Sequence, residues 1–201
     1  MRHWFLPRDP DLLGLLREQG DTTLRGMTAF VAWSRGDVGE AQSVRDAHGQ
    51  ATEQRRHLNA ELRAAFSTPL DAEDIYELSE RLDDVLTAAK NAVRESEVMS
   101  MPPDEALAEM AGHLLVGVEH LVTAFTHLGR DHDAAVTEAD AAIAAEIEVE
   151  RGYRRAMSAL LQTGEVRELL GRRELYRRYS RLADAVVRVG ERVWYAVVKQ
   201  A

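Results

Sequence analysis

The chain of 201 residues contains no cysteine. That excludes a disulfide framework, a structural cysteine–zinc site, an iron–sulfur cluster and thiol catalysis. Proline and glycine are sparse, at 5 and 13 residues, which sets the chain apart from collagens and low-complexity tails. Lysine is nearly missing as well, because of the 25 basic residues only Lys90 and Lys199 are lysine. No stretch approaches the roughly 18 consecutive apolar residues of a membrane span. The opening, Met1 to Pro10, carries Arg2, Arg8 and Asp9 and has too short an apolar run for a signal peptide. A cytoplasmic protein is expected. A formal net charge of −9 argues against a body built to bind nucleic acid, which needs a basic face. What is present, 45% hydrophobic and 29% charged residues, is the composition of a globular chain long enough to bury a real core.

The dominant periodicity is helical. Leu107, Met110, Ala111, Leu114, Val118, Leu121, Val122 and Phe125 recur at steps of three and four and fall on one stripe. Ile75, Leu78, Leu82, Leu86 and Ala89 do the same. Leu12, Leu16, Met27, Phe30 and Val31 mark a first helix, which Gly20 and Gly26 weaken. No segment alternates with period two, so no strand is expected. Breaks fall at Pro7 and Pro10, at Ser34 to Gly39, at Ser67-Thr68-Pro69-Leu70-Asp71, at Met101-Pro102-Pro103-Asp104, at Gly129 and at Thr163-Gly164. These punctuate about six helices, near 10–34, 37–66, 71–99, 103–129, 131–163 and 165–200, with Gly171 a point where the last would bend.

The halves resemble each other. At an offset of 100 residues Ile75-Tyr76 meets Leu175-Tyr176, Arg81-Leu82 meets Arg181-Leu182, and Asp84 meets Asp184. The expected architecture is all-α, two repeated three-helix bundles forming one domain over 1–201, with the repeat dividing into 1–101 and 102–201.

Charge is segregated along the chain. Residues 71–84 hold seven acids and one Arg, 131–150 hold seven acids and no Lys or Arg, and 151–181 hold nine Arg against three Glu. On the third helix Glu73, Glu77, Glu80 and Asp84 lie within about 60° of one another by helical-wheel angle. Glu146 and Glu150, four residues apart, also share a face. Carboxylates gathered on one face are oxygen donors for a hard cation such as Mg²⁺, Mn²⁺ or ferric iron. The simpler reading is a solvated helix surface. The arginine run suits a phosphate, an acidic partner or an anionic membrane surface, or it pairs with acids on neighbouring helices. His113, His120 and His127 repeat every seven residues, about 10 Å apart along a helix, too far for two of them to share one ion. Asp131-His132-Asp133 reads as a helix cap.

Catalytic signatures are missing. No helix carries Glu-x-x-His, and the chain has no His-Glu-x-x-His, no Gly-x-Ser-x-Gly and no phosphate-cradling glycine loop.

Phe66-Ser67-Thr68-Pro69-Leu70-Asp71-Ala72-Glu73-Asp74-Ile75-Tyr76, followed by Leu82-Asp83-Asp84-Val85-Leu86, resembles the most recognisable segment of the PhoU-like family of phosphate transport regulators. Trp4-Phe5-Leu6-Pro7 looks like that family's start. Glu174-Leu175-Tyr176 through Asp184 to Val197-Val198-Lys199 looks like its last helix. The resemblance implies a cytoplasmic, non-enzymatic regulator, often a homodimer, associated with an inorganic phosphate permease of the Pit type and so peripheral to the inner face of the membrane. It also implies metal binding through Glu/Asp-x-x-x-Asp motifs on the bundle surface. Carried over residue by residue, the acids that remain are Asp83, Asp84, Glu146, Glu150, Asp184 and Glu191. The pattern is incomplete, since His48 and Thr52 stand where the second helix should offer acids, Thr87 replaces an Asp and Ser180 a Glu. About half of each acid set survives, which leaves less charge to hold a divalent or ferric ion. Three readings follow: a transporter-docking regulator, a metal- or phosphate-binding sensor, and a dimeric helical scaffold that has lost its metal. For the first, the acidic stretches 71–84 and 131–150 are the expected contact faces, because cytoplasmic transporter loops are rich in Lys and Arg.

Overall fold

The computed structural model describes residues 10–162 and 165–199. Six helices follow one another in it: α1 (Leu12–Ser34), α2 (Glu40–Ala64), α3 (Ala72–Met99), α4 (Glu105–His127), α5 (His132–Leu160) and α6 (Val166–Val198), with no strand among the described residues. The expected helix ends agree to within three residues. The opening Trp4 to Pro7 and the Thr163-Gly164 break lie outside the described residues.

The helix starts have a common chemical cause. Asp11, Asp71, Asp104 and Asp131 each accept a hydrogen bond from a backbone N–H of the first turn, at 2.8 Å from Gly14, 3.1 Å from Glu73, 3.0 Å from Leu107 and 3.0 Å from Ala134. Each satisfies a donor that the helix itself cannot. Asp131 is thus the cap that the sequence pattern predicts.

Among the described residues α2 packs only against α1 and α3, and α5 only against α4 and α6. These are two three-helix units. They meet through α1 against α4 and α3 against α6. The apolar stripes of all six helices merge into one core. Positions related by the offset of 100 share environments along much of α3 and α6: Ile75 and Leu175, and Leu82 and Leu182, are fully buried. The correspondence stops at the tyrosines, where Tyr76 is 43% exposed and Tyr176 only 5%. Tyr176 instead donates to the Asp104 carboxylate at 2.6 Å. Burial, and then the hydrogen bond to that carboxylate, push its phenol pKa well above the ordinary range.

Polar ties cross the core. Gln19 of α1 donates to the Ser79 carbonyl at 2.9 Å and accepts from the Ser79 hydroxyl at 2.6 Å. Ser34 of α1 and Tyr179 of α6 share a hydrogen bond of 2.7 Å, with the Tyr179 ring 5.0 Å from that of Phe30. Two glycines sit at close approaches, and only Gly26 is required by its own. A Cβ at Gly26 would stand 2.5 Å from Leu86 and 2.8 Å from Ala47, so this residue lets α1 settle against both α2 and α3. A Cβ at Gly171 would meet the Met101 side chain at 2.5 Å. α6 runs as one continuous helix through Gly171 and past Met101.

The linker between the units is short and pinned. Ser100 takes the left-handed conformation at φ 51°, the Ser96 hydroxyl donates to the Met101 carbonyl at 2.6 Å, and the Met101 N–H donates to the Ser96 carbonyl at 2.9 Å.

Candidate functional site

The sequence points to two faces that could hold a cation, one on α2 and α3 and one on α5 and α6. On the first, α2 and α3 run antiparallel and present a ladder of partly buried side chains. The His48 Nε2 lies 3.2 Å from the Thr87 hydroxyl and 3.1 Å from the Lys90 Nζ. Thr52 donates to Asp83 Oδ1 at 3.0 Å. The Arg55 guanidinium pairs with Glu80, and its Nε stands 3.6 Å from Asp83 Oδ2. Asn59 donates to Glu80 at 3.1 Å. Both carboxylates of the ladder therefore already have partners. Burial, with Lys90 and then Arg55 beside it, holds the His48 imidazole below its ordinary pKa against the opposing pull of Asp83. In the neutral form its Nε2 can accept a hydrogen bond from the Lys90 ammonium.

Asp84, next to Asp83 in sequence, does not join this ladder. One residue on a helix is about 100° of rotation, and Asp84 turns to the opposite flank of α3. There it lines a groove of about 400 Å³ between α3 and α6 together with Asp184, Arg178, Arg181, Arg188 and Asn91. The pairing of Asp83 with Asp84 in a single site is thereby corrected: the two point at different neighbouring helices. The wheel-derived stripe Glu73, Glu77, Glu80 and Asp84 is likewise divided. Glu80 belongs to Arg55 on α2, Glu77 pairs with Arg81 at 3.1 Å, and Asp84 faces α6.

On the second face the structure brings three of the expected acids into electrostatic range. Glu146 is raised above the ordinary carboxylate pKa, first by burial and then by the charges of Glu150 and Asp184, with Arg154 pulling the other way. Ser180 donates to Glu150 Oε1 at 2.5 Å, and Arg154 stands 3.9 Å from its second oxygen. Glu191 is exposed two helical turns beyond Asp184, about 10 Å along the axis, and does not join them. Among the described residues no group of three or more His, Asp or Glu side chains is arranged to hold a metal ion.

The remaining charges are mostly matched within the fold. Within 71–84, Asp71 pairs with Lys199 at 2.5 Å, and the fully buried Asp74 faces Arg192 at 2.6 Å and Lys199 at 3.8 Å. In the arginine run Arg172 donates to the Pro102 carbonyl at 2.6 Å, while Arg178 reaches Glu174 at 2.9 Å and Glu95 at 3.3 Å. His120 lies 2.7 Å from Glu138 and His113 4.0 Å from Glu109, so each has its own carboxylate neighbour. The acids of α5 are the less committed set. Asp133 and Asp140 stand exposed on this outer helix, and no salt bridge involves either among the described residues. No described helix is long and apolar enough to cross a membrane.

Sequence reasoning missed Arg55, Lys90 and the buried Asp74–Arg192 pair. A signal for the first two was present, since Arg55 follows Thr52 and Lys90 follows Thr87 by three residues, one helical turn, on the same faces.

No protein-family model and no curated protein sequence matches the chain. Its fold does match solved structures. It is similar to a PhoU-like protein from Shewanella oneidensis, at a TM-score of 0.80 and 17% identity, covering 93% of this chain and 99% of the other. It is similar to PhoU from Pseudomonas aeruginosa, at 0.71 and 19%, covering 95% and 97%. The phosphate transport system regulatory protein PhoU from Streptococcus pneumoniae matches at 0.75 and 13%, over 95% of each chain. The architecture is the PhoU-like all-α fold.

Proposed function

We propose that this chain, whose described residues carry the PhoU-like fold, is a non-enzymatic regulatory or accessory protein of inorganic phosphate transport. The observation that carries this reading is the coverage of the fold likeness, 93% of this chain and 99% of the neighbour. The finer part of the proposal is docking from the cytoplasmic side on a Pit-type permease, as a homodimer. Transporter loops on that side are rich in Lys and Arg. The α5 face is the better contact surface, because Asp133 and Asp140 are exposed there, whereas Asp71, Asp74, Glu77, Glu80 and Asp83 are engaged within the fold. Docking would shift the permease between its conformations by binding one of them more tightly.

The test is binding of the purified chain to the permease in lipid nanodiscs at low and at high salt, with Asp133→Asn/Asp140→Asn alongside. Affinity should fall as salt rises and fall again in the double variant. Affinity unchanged by both would sink electrostatic docking through α5. A second reading, a single-cation sensor on α5 and α6, is favoured by the like-charge crowding around Glu146, which a bound cation would relieve. Mg²⁺ or Mn²⁺ should then raise the melting temperature, and Glu146→Ala/Asp184→Ala should remove that rise. A rise that survives the double substitution would overturn this reading.

A further inference from the structure

On the α2/α3 face we propose that the Arg55 guanidinium and the Lys90 ammonium stand in for the metal ion that the sequence resemblance implies, making this face metal-independent. The inference is separate from the transport role proposed above. It rests on how the face is wired.

A hard divalent cation takes six or more oxygen ligands, several of them carboxylate. Asp83 and Glu80 are the acids of this face, and both are spoken for. Asp83 accepts from Thr52 at 3.0 Å and has the Arg55 Nε at 3.6 Å, while Glu80 is held by Arg55 and accepts from Asn59 at 3.1 Å. The two positions on α2 where the family pattern asks for acids are His48 and Thr52. Thr52 is a hydrogen-bond donor toward Asp83. His48 is turned to Lys90, 3.1 Å away, and to the Thr87 hydroxyl at 3.2 Å. Two acids and two cations share the ladder, Arg55 beside both carboxylates and Lys90 beside His48, so it is neutral without any ion.

An entering Mn²⁺ would have to break the Thr52 bond, displace Arg55 from both carboxylates and sit beside two positive charges. None of these groups lies in open water. The side chains of Arg55 and Asp83 are 24% and 13% exposed, so solvent screens the repulsion only in part. Each cation also sits one helical turn from a position that departs from the acid pattern: Arg55 from Thr52, and Lys90 from Thr87. The departures and the cations thus form one consistent set and not a scattered loss of ligands. His48 adds to the same balance, because its suppressed protonation spares the face a third positive charge.

The experiment is Mn²⁺ binding to the full chain, read from the spectrum of free Mn²⁺ by electron paramagnetic resonance. Three proteins are compared: wild type, Asp83→Asn, and a variant with His48→Glu, Thr52→Asp, Arg55→Gln and Lys90→Gln. Asp83→Asn should leave the stoichiometry and affinity of wild type unchanged. The fourfold variant should gain one Mn²⁺ per chain, at an affinity at least tenfold above any wild-type binding. Loss of one Mn²⁺ equivalent in Asp83→Asn would overturn the proposal. A fourfold variant that keeps its helical circular dichroism yet gains no Mn²⁺ would also overturn it. If that variant fails to fold, wild type and Arg55→Gln/Lys90→Gln are compared for melting temperature with Mn²⁺ and with chelator. Stabilisation by Mn²⁺ only in the double variant supports the proposal, and equal responses overturn it.

Discussion

The clasp between the start of α3 and the end of α6 gives the sharpest test of the energetics. Asp74 is 1% exposed and Arg192 11%, with Nη2 and Oδ1 2.6 Å apart. Arg192 also lies over the Tyr195 ring at 4.9 Å and has Glu73 3.9 Å away. Removing one partner of a buried ion pair typically costs about 3–5 kcal/mol, because the remaining charge stays desolvated and unpaired. Two features place this pair at the lower end. The close approach is poorly aligned for hydrogen bonding, since Asp74 Oδ1 and Arg192 Nη2 have no well-formed partner, and Glu73 remains as a residual acid. Asp74→Ala should therefore lose about 3 kcal/mol. For a chain of this size that is a fall in Tm of roughly 6–12 °C. Asp74→Asn, which keeps the shape, isolates the charge and should lose most of the same amount. Urea unfolding followed by circular dichroism, on Asp74→Ala, Arg192→Ala and the pair, closes a double-mutant cycle. The coupling should be about 2 kcal/mol, with the double variant more stable than the sum of single losses implies. A single loss below about 1 kcal/mol, or additivity within about 0.5 kcal/mol, would refute the claim that this buried pair is a coupled unit.

Three further outcomes follow from the same structure. Gly26→Ala should cost about 1–3 kcal/mol in urea unfolding, because its new methyl meets Leu86 and the Ala47 Cβ, whereas Gly171→Ala meets only the flexible Met101 tip and should be neutral or stabilising by up to about 1 kcal/mol; equal effects would contradict the packing. Tyr179→Phe should cost about 1–2 kcal/mol by leaving the buried Ser34 hydroxyl without its partner, and a neutral result would show that this bond contributes nothing. Asp71 is held below the ordinary carboxylate pKa by the Lys199 hydrogen bond, so its contribution is present above the unfolded-state value near 3.8 and disappears as pH falls through the lower folded value; the stability difference between wild type and Lys199→Met should shrink in that acid window, and a difference constant down to pH 2 would count against the pairing.

Much of the fold was legible because helices announce themselves locally. The stripes of α3 and α4 repeat at the helical period, and Asp71, Asp104 and Asp131 sit where a first turn needs an acceptor. The sites were less legible, because a helical wheel gives an angle but not the neighbour found at that angle. Asp83 and Asp84 look like one acid pair in sequence and serve two different interfaces in the fold. Asp74 reads as one more acid on a charged face, yet it is buried against Arg192, more than a hundred positions along the chain. Arg55 and Lys90 are hidden in the same way at shorter separations, 25 residues to Glu80 and 42 to His48, because their partners are set by how α2 lies on α3. Glu146 and Glu150 share a face through their i to i+4 spacing, and the charges of Glu150 and Asp184 both act on Glu146.

The pinned linker also bears on how copies of the chain treat one another. Each three-helix unit offers the other a matched apolar flank, α1 for α4 and α3 for α6, so the unit that completes a core need not come from the same polypeptide. Domain exchange between two chains would bury the same surfaces. What opposes it is the sharp reversal at Ser100 and the two bonds between Ser96 and Met101, which return the second unit onto the first. A chain with that reversal straightened would keep its helices and core contacts and exchange its halves, turning a folding unit of one polypeptide into an entwined pair.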